Sequence, residues 1–312
     1  MLRAMDSAVA GLRAHQSKLD VIGHNIANVN TVGFKSQSYT FKEAMYQTSS
    51  ASTGGTATAA GSNAAQYGYG SLTGSISMDM TASTPSYVGG FNASIDAAGF
   101  FMVSPKNSDV ANDDTLKANA DMSYTRVGAF SIDSNGYIVD SNNNFVYGFQ
   151  PDNPVGTTMT YDYATLKPLR IPAADHSFTG KAAISSEIEI NKLGVITASI
   201  EVPDPNDATK VITETVTLGK VAIATFQNPE GLTKEGGYYY STNPNDNAGD
   251  MAAGEPGSGN APTLMTGFLE GSNVDMAKEF SELITAQRGF QANTKIITVS
   301  DEILNELVNM KR

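Results

Sequence analysis

Every seventh residue from Met276 to Leu304 is apolar: Met276, Leu283, Phe290, Ile297 and Leu304. The companion row Phe280, Gln287, Thr294, Asp301, Val308 is apolar only at its two ends. A period of 3.5 keeps one stripe facing a partner helix, so the spacing predicts a seam-bearing helix over 272–312. Such a helix is about 60 Å long at ~1.5 Å per residue. In its last third the stripe widens, with Ile296, Val299, Ile303, Leu307 and Met310 flanking the seam. At the other end of the chain Met5, Leu12, Leu19 and Ile26 repeat the same spacing, and Ala8, His15, Ile22 and Val29 widen that face. A second helix is predicted there, ending in Asn28-Val29-Asn30-Thr31-Val32-Gly33, whose Asn and Gly residues take the left-handed backbone that closes helices. Gly11 and Gly23 each weaken it by roughly 1 kcal/mol relative to Ala. Close approach of another backbone and simple drift both stay open as reasons for them.

Between the helices the pattern changes twice. Residues 36–71 contain the small, polar run Ser49 to Thr58, which has too little apolar surface to fold alone. This segment is expected to be a linker that orders on assembly, with Tyr39, Phe41, Met45 and Tyr46 available for docking. From 72 onward short apolar or alternating runs recur: 75–80, 99–103, 124–132, 137–139, 145–147, 184–190, 195–202, 211–218 and 221–226. Asp133-Ser134-Asn135-Gly136 and Asp140 to Asn144 supply hairpin turns between them. Residues 106–121 and 243–262 are expected to be exposed loops. All twelve prolines lie from Pro85 to Pro262, so neither helical end carries the ~3 kcal/mol cost of an interior proline. The prediction is an α+β chain: long N- and C-terminal helices (1–35 and 272–312) form a coiled-coil-like pair, and a sandwich- or barrel-like all-β body (72–271) is looped out between them.

Composition narrows the function. The chain has 312 residues, no cysteine and no tryptophan, which removes disulfides and thiolate metal sites. A net charge of −12 argues against nucleic-acid or anionic-membrane surfaces. No apolar run spans a bilayer, and the amphipathic N-terminus lacks the apolar core of a secretory signal. The protein is therefore expected either in the cytoplasm or exported without a cleaved signal. Catalytic chemistry is not visible. His15 and His24 fall on roughly opposite faces of the first helix and make no metal pair; His176 is alone in the body. Asp140, Asn142 and Asn144 have the spacing that opens a calcium loop, but Phe145 and Pro151 stand where its Gly and Glu belong, so a turn explains them. Gly68-Tyr69-Gly70 lacks the third glycine of a dinucleotide loop. No enzyme activity, cofactor or metal is expected.

Five separated motifs, in order along the chain, carry a resemblance. Ala27 to Lys35, with Asn28, Thr31, Gly33, Phe34 and Lys35 at its signature positions, resembles the segment that closes the N-terminal helix of bacterial flagellar rod and hook proteins. Gly99 to Val103, Tyr124 to Phe130 with Asp133 and Gly136, and Phe226 to Leu232 are similar to that family's body motifs. Gly271 to Asp275 and Ile284 to Asn293, including Gln287 and Arg288, resemble its C-terminal helix, and the run Ala286 to Phe290 is closer to hook than to distal rod proteins. The resemblance implies a structural subunit of the hook, polymerised into a flexible hollow tube that transmits motor torque. The distal rod is the alternative; an adhesin or capping protein is a more remote one. It further implies self-association through the seams Met5, Leu12, Leu19, Ile26, Met276, Leu283, Phe290, Ile297 and Leu304. The implied partners are the hook cap, distal rod and hook–filament junction proteins and the type III export apparatus, with no nucleic acid and no membrane insertion. The implied location is the extracellular part of the flagellum. The chain is short for a hook protein, so any outer β domain is expected to be reduced to residues 155–215.

Overall fold

The structure, a computed structural model, describes residues 2–56, 60–104, 122–151, 161, 163, 166–173, 185–204, 207–243, 246–259 and 261–310. The expected insertion at 106–121 and residue His176 lie outside them. The chain divides into two units: Met1–Val29, Ser36–Asp79 and Val274–Arg312 in one, Asn30–Lys35 and Met80–Asn273 in the other.

The first unit holds helices α1 (Leu2–Ala27) and α2 (Met276–Met310). Both follow the heptad patterns. α1 stops where expected: the Asn28 side chain donates to the His24 carbonyl at 2.9 Å, closing the last turn. α2 starts four residues later than the sequence pattern suggests, because Asp275 caps it. The Asp275 carboxylate accepts from the backbone N–H of Ala277 (2.9 Å) and of Lys278 (3.2 Å), two donors that a helix start leaves unsatisfied.

The described part of the segment expected as a connecting linker, 36–71, is extended and paired. β1 (Gln37–Glu43) pairs antiparallel with β4 (Ser71–Met78), and β2 (Tyr46–Ser50) with β3 (Ala65–Gly68). Hydroxyl groups supply cross-strand bonds: the Ser75 N–H donates to Thr40 Oγ1 at 2.9 Å, and the hydroxyl of Thr53, in the small polar run, meets that of Ser62 at 2.8 Å. Phe41 anchors the ribbon to α1. Its ring lies 5.2 Å from that of His15, with the Lys18 ammonium 5.8 Å from its centroid. The alternating run at 75–80 therefore belongs to this ribbon rather than to the β body.

The second unit is antiparallel β. It contains β5 (Pro85–Tyr87), β6 (Ala93–Ile95), β7 (Phe100–Ser104), β8 (Ser123–Thr125), β9 (Phe130–Ile132), β10 (Ile138–Asp140), β11 (Phe145–Phe149) and β12 (Lys167–Pro168). These are followed by β13 (Ser185–Ile190), β14 (Val195–Asp204), β15 (Asp207–Val221), β16 (Ile223–Thr225), β17 (Thr233–Gly236) and β18 (Tyr239–Ser241). β19 (Ala252–Gly254), β20 (Leu264–Thr266) and β21 (Phe268–Glu270) complete it. Among the described residues the main sheet runs β13-β14-β15-β11-β7-β8-β18-β17 and does not close into a barrel. β20 pairs with β6 and β21 with β5 as separate ladders. β19 falls inside the stretch expected to be loop. Of the suspected outer segment, the described strands β13, β14 and β15 join the main sheet through β11. The run expected as one strand over 124–132 is split in two, and between the halves Gly128 lies so close to the Ala93 carbonyl that a Cβ there would clash. The core gathers Phe101, Val103, Ile138, Val146, Ile196 and Leu218, all fully buried or nearly so. The Asp140 carboxylate both closes its own turn and ties it to β18. One carboxylate oxygen accepts from the Asn142 and Asn144 N–H groups, both at 2.9 Å, and the other from the Tyr239 hydroxyl.

Candidate assembly surface

The two long helices lie antiparallel, in a register read from four pairings. A Cβ on Gly11 would stand 3.0 Å from Asn293 Nδ2, and one on Gly289 would stand 2.5 Å from the His15 ring. Lys18 Nζ lies 3.0 Å from Glu282 Oε2, and Asn25 Nδ2 donates to Glu279 Oε1 at 3.1 Å. A side chain of the opposite helix fills the space at each of these two glycines, Asn293 at Gly11 and His15 at Gly289; Gly23 has open space beside it. On α2 the residues turned inward are Glu279, Ala286 and Ser300, with half-buried Asn293 completing the heptad. On α1 the buried residues are Ala8, Gly11, Ala14, Val21, Ile22 and Asn25; Gly11 and Asn25 meet α2, while Ala14 lies on the side of β4. The intramolecular contact is thus made largely by small and polar side chains.

The expected seams flank this contact. Met5, Leu12, Leu19 and Ile26 on α1, and Met276, Leu283, Phe290, Ile297 and Leu304 on α2, are all half-buried. Beside the α2 seam, Ile296, Val299, Ile303, Leu307 and Met310 are 39–79% exposed. Their spacing of three and four residues places them on one face. Gln287 and Arg288 are exposed on the same helix.

Burial also tunes two groups at the pairing. Desolvation, then the Lys18 charge, holds the His15 imidazole below its ordinary value of 6.5, and among the described residues its Nδ1 has no hydrogen-bond partner. The unfolded chain therefore binds the proton more readily than the folded one, so the helix pair loses stability as pH falls below about 6.5. Burial raises Glu279 above its ordinary 4.5, against the Asn25 hydrogen bond; its contribution has the opposite sign and is lost as pH rises from about 4.5. Helix melting followed by circular dichroism should occur at lower temperature at pH 5.5 than at pH 7.5. His15→Gln should remove most of that difference, and a variant that keeps it in full would acquit His15.

In the second unit, the segment after α1 and the segment before α2 are fixed side by side. Gly33 adopts φ +69°, its N–H donates to the Glu270 carbonyl at 2.8 Å, and a Cβ there would meet Val127 at 2.7 Å. Thr31 is exposed, while its carbonyl accepts from the Phe34 N–H at 3.3 Å. Phe34 is buried, with the Lys234 ammonium 4.8 Å from its ring centroid. Lys35 is fully buried, and Arg126 and Glu270 are each 1% exposed. Lys35 Nζ donates to Glu270 Oε1 at 2.8 Å and to the Thr81 carbonyl at 2.6 Å. The Ser83 N–H donates to the same carboxylate oxygen at 3.0 Å. Arg126 Nε lies 3.2 Å from Glu270 Oε2, an ionic contact without hydrogen-bond alignment, while its terminal nitrogen donates to the Ala97 and Gly99 carbonyls at 2.6 and 2.8 Å. Desolvation lowers the Arg126 pKa, opposed by Glu270; desolvation, against Arg126, pushes the neighbouring Tyr240 phenol up to about 12. Two signature cations thus converge on one carboxylate. Glu270 sits in no motif that the sequence singles out, and only the pairing of β21 with β5 shows where it goes.

Comparison with known proteins places these features together. Residues 5–35 match the profile described as flagella basal body rod protein, residues 94–198 that of the flagellar hook protein FlgE/F/G D1 domain, and residues 265–310 that of flagellar basal body rod FlgEFG protein C-terminal. The flagellar basal-body rod protein FlgG of Bacillus subtilis is 38% identical over 313 positions that cover all of both chains. The chain belongs to the flagellar basal-body rod and hook family. Its hook relatives match differently. The flagellar hook protein FlgE of Borreliella burgdorferi is 24% identical over 459 positions spanning both chains. That of Escherichia coli is 43% identical, over 98 residues covering 31% of this chain and 24% of its own. The family is one of structural flagellar proteins, which places the chain in the flagellum. Among the described residues, no helix is long and apolar enough to cross a membrane.

Proposed function

We propose that this protein is a rod subunit of the flagellar basal body, polymerising through its paired terminal helices into a straight hollow tube that carries torque outward. The observation that favours rod over hook is the even, end-to-end similarity to a rod protein: 313 aligned positions for 312 residues, against 459 for a hook relative, whose alignment must accommodate a long insertion. The helix pair supports polymerisation as such. Its small, polar contact leaves both apolar seams half-open and the α2 stripe exposed, and a large exposed apolar face marks an interaction surface. Contacts of this heterologous kind propagate instead of closing. The hook remains the second reading, favoured by the C-terminal run Ala286 to Phe290 and by the local 43% identity to a hook protein. Polymerisation into a neighbouring rod or hook, and export through the flagellar secretion apparatus, follow from either.

Negative-stain electron microscopy of the purified chain at high concentration tests this. Straight, rigid tubes are the expected result. Curved tubes would transfer the assignment to the hook, and monomers or small closed rings would overturn polymerisation.

A further inference from the structure

The first unit carries both halves of a contact it does not make with itself. One half is a groove of about 370 Å³ between α1 and β4, lined by Val9, Ala10, Ala14, Ser17 and Leu72, with Asp6 and Arg13 on its rim. Val9 and Leu72, two of its apolar lining residues, are 38% and 46% exposed. The other half is the α2 stripe Ile296, Val299, Ile303, Leu307 and Met310. Within one chain α2 pairs with the face of α1 that carries Gly11, His15, Lys18 and Asn25, which is a different face from the groove. The register that sets Gly11 against Asn293 runs out at the start of α1, so the last turns of α2 continue past it.

Resting on the polymer reading above, we propose that the α2 stripe of one copy seats in the α1–β4 groove of a second copy, and that this is the side-to-side contact of the tube. Identical subunits in a one-directional tube keep every α1 pointing the same way. Because α2 is antiparallel to α1 within each chain, the incoming α2 also lies antiparallel to the α1 that receives it. Lengths agree: the stripe spans ~21 Å and the groove ~17 Å at ~1.5 Å per residue. Spacing agrees as well. Ala10 and Ser17, seven residues apart on either side of buried Ala14, face Ile303 and Ile296, seven residues apart in reverse. Small groove residues thus receive large branched ones. Charge completes the fit. In this register Arg13 comes within one turn of Glu302, while the last turn of α2 carries no basic residue. Apolar burial supplies the attraction and the ion pair fixes the register.

The chain has no cysteine, which makes the test clean. Ala10→Cys and Ile303→Cys are made in separate full-length chains, polymerised as a mixture and oxidised, so that a bond between the two sites can form only between copies. The expected result is a disulfide-linked mixed dimer, which requires Cα atoms within about 7 Å. Straight or curved polymers that yield no mixed dimer would overturn the docking and leave the polymer reading standing; failure of the unsubstituted chain to polymerise would remove both. As a second measurement that leaves the apolar surfaces intact, Arg13→Glu should raise the critical concentration for assembly by up to about five-fold, the range of an exposed ion pair, and adding Glu302→Arg should restore it. An unchanged critical concentration in Arg13→Glu would remove the ion pair from the contact.

Discussion

Replacing Glu270 with alanine is expected to destabilise the β unit by about 3–5 kcal/mol, a large share of the 5–15 kcal/mol that holds a typical domain together. The reason is an imbalance of buried charge. Lys35 and Arg126 are both sequestered from water, and Glu270 is the carboxylate that meets them, with Oε1 2.8 Å from the lysine and Oε2 3.2 Å from the arginine. Without it two cations are left among backbone carbonyls that solvate them only in part. Lys35→Met should cost less, because Arg126 then faces Glu270 one to one and the thioether fills most of the lysine's volume. Urea unfolding followed through near-ultraviolet circular dichroism of the thirteen tyrosines gives the comparison in a chain without tryptophan. A Glu270→Ala loss no larger than that of Lys35→Met would refute the charge argument. The same carboxylate and its backbone hold the segments that lead to the helices: the Gly33 N–H bonds to the Glu270 carbonyl, and the Ser83 N–H and Lys35 to its side chain. Sites that tie a fold's connections together are where a lost partner is felt beyond its own contact.

How much of this was legible in the sequence depends on what each feature rests on. Periodicity located both helices, because a sustained seven-residue apolar repeat is the mark of a helix with one packed face, and it identified the flanking stripe on α2. It could not show which row of the heptad turns inward. That row on α2 is Glu279, Ala286, Asn293 and Ser300, invisible to a search for apolar positions, and it is chosen by what α1 offers opposite: Gly11, Lys18 and Asn25. The ribbon over 37–78 was missed for a related reason. Strands such as Tyr46–Ser50 are exposed along their whole length and are held by backbone pairing and hydroxyl bonds rather than by a buried face. The motifs at Gly33, Lys35 and Arg126 were readable as a pattern, but their shared partner, Glu270, is more than 140 residues from any of them and emerges only when β21 pairs with β5. In the sequence only a short C-terminal run separates hook from rod, and the comparisons reach the family that the two share.

Leu283→Asp is expected to abolish polymerisation while leaving the β unit folded. Leu283 is a half-buried seam residue on α2, beside the polar row that meets α1 and not within it. A leucine buried in a subunit contact contributes about 1.5–3 kcal/mol, and a carboxylate in its place adds a desolvation penalty. In a tube the loss recurs at every subunit, so a change that a monomer tolerates becomes decisive for the assembly. The β unit has its own core around Phe101, Ile138 and Ile196 and draws on none of the seam residues. Electron microscopy and sedimentation should show monomers, while the β signal in circular dichroism and the tyrosine unfolding transition stay at their original positions. Loss of that transition would show that the helices hold the β unit up and would sink the division into an assembling part and a self-standing body. Tubes of normal yield would instead remove the α2 seam from the interface and leave the more exposed stripe from Ile296 to Met310 as the surface that assembles.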